Sequence, residues 1–127
     1  HANSPRDLLS RLEVMVLMAG MELPVRAIRE QISSAVHIIV QQTRFSDGRR
    51  RVTSIVEIDG MEGDVILTQP LFAFKQRGVG AGGEILGDFV AFGQAPRFYE
   101  DLEESGIPLD RSLFGVAPPI KHRSAPL

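Results

Sequence analysis

The sequence predicts an α+β chain: a helical hairpin, an antiparallel meander of three or four strands, and a closing helix. Three observations carry that expectation. Apolar residues recur at helical spacing as far as Val36, then give way to dense β-branched runs. Those runs are separated by Gly-containing turns, of which Asp47-Gly48 is the strongest hairpin signal.

The first helix has a complete start signal. Asn3 or Ser4 caps it, Pro5 suits the first helical position, and Asp7 completes a Ser-x-x-Asp capping pattern. Leu8, Leu12, Met15 and Ala19 share one face, with Leu9 and Val16 beside them, and Gly20 ends the helix in a left-handed turn. Pro24 opens the second helix, whose expected buried stripe is Val25, Ile28, Ile32 and Val36. Strands are expected over Val36–Thr43, Arg51–Ile58, Val65–Phe74 and Ile85–Phe92. Asp59-Gly60 and Glu62-Gly63-Asp64 read as the turn between the second and third strands. Pro70 calls for a bulge, a break or an edge position in the third. Pro96 opens the closing helix, with Phe98, Tyr99 and Leu102 apolar, and Gly106 and Pro108 stop it. Leu113 and Phe114 are expected to dock on the body, and residues 115–127 read as a flexible tail.

Composition excludes several classes of function. The 127 residues carry a net charge of −2, one Tyr and no Trp. That gives neither the positive field nor the stacking surface of a nucleic-acid binder. No Cys is present, so disulfides and thiolate metal sites are ruled out. The longest apolar runs are too short to span a bilayer, and the expectation is a soluble, cytoplasmic chain without direct membrane insertion.

Few motifs carry chemistry. Gly78-Val-Gly-Ala-Gly-Gly83 fits G-x-G-x-x-G formally, but a strand pattern follows it, so a flexible hairpin loop is expected instead of a dinucleotide site. The phosphate loop G-x-x-x-x-G-K-[ST] is absent: Lys75 and Lys121 are the only lysines, and neither stands in that context. His1, His37 and His122 are too dispersed for a zinc motif. Arg49, Arg50 and Arg51 read as a solvated turn flank, with contact to an acidic partner as the other reading. Ser4 is a helix cap, and no G-x-S-x-G elbow supports nucleophilic catalysis. Glu103 and Glu104 belong to a solvated helix face.

One resemblance adds to this reading. His1-Ala-Asn-Ser-Pro-Arg-Asp7, with Ser10-Arg-Leu-Glu13, resembles the histidine box of the type II/IV secretion ATPases and the helix behind it. Pro24-Val-Arg-Ala-Ile-Arg-Glu-Gln-Ile32 is similar to the family's Ala-Ile-Arg segment. Arg44-Phe-Ser-Asp-Gly-Arg-Arg50 and Glu57-Ile-Asp-Gly-Met-Glu-Gly-Asp64 look like the C-terminal sheet of the branch that assembles tight-adherence (Flp) pili. Pro96-Arg-Phe98 and Gly106-Ile-Pro-Leu109 fit its closing helix.

The resemblance implies that residues 1–114 are the C-terminal part of a RecA-like phosphate-loop ATPase domain. It implies a cytoplasmic homo-hexamer that binds ATP and Mg, hydrolyses ATP and works with an inner-membrane platform protein. His1 then lies near the γ-phosphate, and Arg26 and Arg29 are either coupling and subunit-contact residues or ordinary solvated helix charge. The chain opens at the histidine box, so the phosphate loop and the magnesium-binding carboxylates are expected in sequence preceding it. No cofactor is expected to bind these residues alone, and a non-enzymatic protein-interaction module is the alternative. In the motor reading, the apolar face of the first helix is covered by the parallel sheet of the other half of the domain, so these residues alone are expected to expose it and to self-associate.

Overall fold

Residues 1–115 are described by the computed structural model. Helix α1 (Pro5–Met18) starts as its sequence dictates. Ser4 lies in extended backbone, and its Oγ accepts the Asp7 N–H at 3.0 Å. Asp7 Oδ2 reaches back to accept the Asn3 N–H at 2.9 Å. These two bonds satisfy donors that a bare helix start leaves unpaired, and they make Ser4 the cap. Gly20, at φ +78°, turns the chain out of the helix. Helix α2 (Val25–Ala35) follows Pro24.

Four strands then form one antiparallel sheet in the order β1-β2-β3-β4. They are β1 (Ile38–Arg44), β2 (Arg50–Glu62), β3 (Val65–Val79) and β4 (Ile85–Ala91). Helix α3 (Phe98–Glu104) and a 3-10 turn at Arg111–Phe114 close the described chain. The fold is therefore α+β, with three α-helices and a four-stranded antiparallel sheet. The expected tail, from residue 116 onward, lies outside the described residues.

The helical hairpin packs on one face of the sheet. Leu9, Ile28 and Ile32 meet Ile39, Val56, Ile58 and Ile66, with Leu8, Leu12, Val16 and Leu23 at the margin. Alternation along β2 puts Val56 and Ile58 on this face and Glu57 on the other. Ile28 is the centre of the cluster, 1 % exposed. Burying a side chain of that size stabilises by about 1.5–3 kcal/mol. On the opposite face, Phe72 packs against Phe114 and Tyr99 against Phe114, each at 5.1 Å between ring centroids. That aromatic cluster holds the end of the described chain against the sheet.

Several sequence expectations need correction. Asp59-Gly60 is not a turn: β2 continues through it to Glu62, and its pairing with β3 slips between Ile58 and Met61. Gly60 has φ +82°, so it forms a bulge, and Gly63-Asp64 alone makes the turn. Pro70 resolves to a bulge, since Val56 pairs with Pro70 while Ile55 pairs with Phe72, leaving Leu71 extra. The third strand is longer than expected, because Lys75 to Val79 pair with β4. Gly78 therefore lies in a strand, and the hairpin turn is tighter, closed by Gly80 N–H to the Glu84 carbonyl at 2.8 Å. The first strand starts at Ile38, two residues later than Val36, which caps α2. On α1 the buried face centres on Leu9, with Met15 64 % exposed and Ala19 exposed. Val25 and Leu113 are likewise exposed, whereas Phe114 docks as expected.

Candidate functional site

His1, the candidate from the histidine-box resemblance, is exposed at one end of a groove along α1. The groove has a volume of about 510 Å³, and its walls include Leu8, Leu12, Val14 and Met15, with Asp7 and Arg11 at the rim. Asp7 is held in place three ways: its N–H by Ser4, its carboxylate by the Asn3 N–H and by Arg11 Nε at 3.1 Å. The Asn3 N–H, followed by the Arg11 charge, holds its carboxyl below the usual carboxylate range. The groove continues into an apolar band that helix periodicity lays along the outside of α1. Val14, Met15, Leu17 and Met18 all stand open there, Met18 at 81 % exposure. The exposed imidazole stands beside an apolar wall with the Asp7 carboxylate in the same groove, a position from which it can hydrogen-bond a ligand.

Arg29 stands in a different place. Its Nε and Nη2 donate to the two Glu13 carboxylate oxygens at 2.9 and 3.3 Å, and its Nη1 donates to the Asp64 carbonyl at 2.8 Å. This fork ties α2 to α1 and to the β2–β3 turn. It lines a cavity of about 210 Å³ with Arg6, Glu13 and Asp64. Two cations face two carboxylates there, so the cavity has no net charge with which to attract an anion. Arg26 lies outside it on α2, bonded to Glu30 at 3.2 Å and 3.8 Å from Asp64, with its side chain 64 % exposed. His1 and Arg29 thus line separate cavities.

Two polar features escaped the sequence reading. Glu57, 4 % exposed, is the buried charged residue of the sheet's second face. Its Oε1 accepts the Arg97 N–H at 2.8 Å, and Arg97 in turn bonds Asp59 at 2.6 Å. Glu57 Oε2 is buried with no partner among the described residues. Burial, with Asp59 adding to it, pushes the Glu57 carboxyl above its ordinary value, against the pull of the Arg97 N–H and charge. The only sequence signal was a Glu between Val56 and Ile58, which alternation alone assigns to solvent.

The other is Asp47, in the β1–β2 turn. Both its oxygens take Arg51, at 2.8 and 3.1 Å, and they also accept the Arg49 and Ile85 N–H groups at 3.0 Å each. Arg51 lies over the Phe45 ring at 5.0 Å and the Phe74 ring at 5.7 Å. These contacts, Arg51 first, hold the Asp47 carboxyl far below the usual range. Arg51 is therefore a structural part of the hairpin, not part of a solvated run. Among the described residues no cluster of three or more His, Cys, Asp or Glu has the geometry to hold a metal ion. No described helix is long and apolar enough to cross a membrane. No protein-family model matches the chain, and no curated protein matches it.

Proposed function

We propose that residues 1–114 act as the C-terminal, contact-bearing part of a hexameric cytoplasmic ATPase that powers pilus assembly or protein secretion. The carrying observation is the open apolar band of α1, Val14, Met15, Leu17 and Met18, continuous with the groove that ends at His1. A surface of that kind, beside an exposed histidine, suits a helix covered by another layer of the same motor at a nucleotide interface. When bound there, ATP and magnesium supply the phosphoryl group and its charge neutralisation. In this reading His1 hydrogen-bonds the γ-phosphate region and senses its loss. Arg29 positions α2 against α1 through Glu13, and Arg26 is the arginine that faces a neighbouring subunit.

These residues alone are expected neither to bind nor to hydrolyse ATP, since phosphoryl transfer needs the phosphate loop and its magnesium ligands. The reading frame upstream of His1 tests the proposal. A frame containing G-x-x-x-x-G-K-[ST] supports the motor, and in that intact protein His1→Ala should lower ATP turnover while leaving the hexamer assembled. An independent start just before His1 would replace the motor with an interaction module whose partner covers the same band of α1.

A further inference from the structure

Arg44 and Arg50 stand directly opposite each other on β1 and β2. The adjacent Phe45 N–H donates to the Arg49 carbonyl at 2.9 Å. Antiparallel alternation therefore makes Arg44–Arg50 a non-hydrogen-bonded pair, the closer kind, with Cα atoms ~4.5 Å apart. The pleat sends both side chains to one face, opposite to that of Phe45, Arg49 and Arg51. Like charges set directly across a sheet repel. Four other sheet and loop arginines meet a carboxylate, Arg51 with Asp47, Arg77 with Asp88, Arg97 with Asp59 and Arg111 with Glu103, whereas the turn residue Arg49 meets none among the described residues. Among the described residues, neither Arg44 nor Arg50 has a carboxylate within ion-pair distance. The next pair along their face, Gln42 and Val52, is neutral.

We propose that Arg44 and Arg50 form an anion site that takes a phosphate-monoester dianion. Each guanidinium is a planar fork of donors that fits two phosphate oxygens. Two adjacent positive charges are balanced by a dianion, whereas a carboxylate or a phosphodiester balances only one and leaves the pair repelling. The site is independent of the motor reading, because it lies on the sheet and shares no residue with the α1 groove.

The test is a titration of the isotope-labelled full chain with phosphoserine at constant ionic strength, following the Arg side-chain Nε–H resonances. Saturable shifts at Arg44 and Arg50 are expected at about pH 7.5. They should weaken at about pH 5, where the monoester, with a second pKa near 6, carries one charge. Arg44→Gln or Arg50→Gln should each weaken binding about fivefold, the worth of one exposed ion pair. Both variants remove a repulsion, so both keep the fold. Arg49→Gln, on the other face, should bind as the unaltered chain does. Inorganic phosphate, run alongside, separates a site for the bare ion (equal affinity) from one that reads the esterified group (weaker affinity). The proposal is overturned if no saturable shift occurs, if acetate or dimethyl phosphate binds equally well, or if Arg49→Gln loses as much as Arg50→Gln.

Discussion

Replacing Glu57 by Gln separates the two things this carboxylate does. Its Oε1 accepts the Arg97 N–H at 2.8 Å, a charge-assisted bond worth about 1.5–3 kcal/mol. Its Oε2 is buried without a partner among the described residues, which costs about 1–3 kcal/mol. Gln keeps an acceptor for Arg97 through a neutral bond of about 0.5–1.5 kcal/mol, and its amide NH2 takes the place of Oε2, exchanging a buried ionised acceptor without a partner for a buried neutral donor without one. The gain and the loss are of similar size, so near neutral pH the variant should lie within about 1 kcal/mol of the parent. What changes is the pH dependence. Because burial, with Asp59 adding to it, raises the native Glu57 value, the folded chain holds this proton more tightly than the unfolded one. The resulting stability is fully present below the unfolded value, about 4.3, and is lost as pH rises through the raised native value. Relative to the Gln variant, the parent should lose up to about 1.4 kcal/mol per pH unit inside that window and nothing above it. Urea melts of both proteins, followed by circular dichroism at closely spaced pH values, measure the difference directly. Midpoints that run parallel through the window would refute the reasoning, since Glu57 would then have to be solvated in the native fold.

Other consequences are open to measurement with the same melts. Ile28→Ala, at the best-buried position of the helix–sheet core, should cost about 2–5 kcal/mol by urea denaturation. Asp47→Asn removes the Arg51 fork and weakens the bond to Ile85, so its unfolding midpoint should fall at neutral pH. Because Asp47's native value is depressed, its contribution is present above the unfolded value of about 3.9 and is lost as pH falls through the depressed one. The deficit of the Asn variant should therefore shrink on acidification; a deficit that stays constant would mean that the charge is irrelevant. Met15→Ser with Met18→Ser, both on exposed positions, should reduce hydrophobic-dye binding and concentration-dependent sedimentation while moving stability by no more than about 0.5 kcal/mol.

Local signals were legible in the sequence wherever one residue decides the backbone. Ser4-Pro5 and Asp7 announced α1, and Asp47-Gly48 announced the first hairpin, with Gly48 at φ +81°. Gly60 misled because a positive φ suits a turn and a bulge equally, and only the pairing of Met61 with Ile66 decides between them. Met15 misled because four apolar residues per two turns leave the helix rotation undetermined until Leu9 meets the sheet. The polar features were illegible for a different reason. Glu57 is buried by Arg97, 40 residues away, and Asp47 reaches Ile85, 38 residues away. Alternation within one strand carries no information about either partner. Of the candidate site, the sequence supplied His1, Arg26 and Arg29 through resemblance alone, and it left Arg29's engagement with Glu13 unseen.

The bond from the Ile85 N–H to Asp47 also bears on how the molecule is assembled in time. The β1–β2 and β3–β4 hairpins each close locally, within microseconds once their turns form. Asp47 belongs to the first and Ile85 to the second, so this bond can exist only after both hairpins have met. Its protection against hydrogen exchange therefore counts the docking of one hairpin on the other, separately from the formation of either. In a pulse-labelling experiment the Ile85 amide should gain protection after the turn amides of Gly48 and Gly83, which makes it a single-proton clock for closure of the sheet.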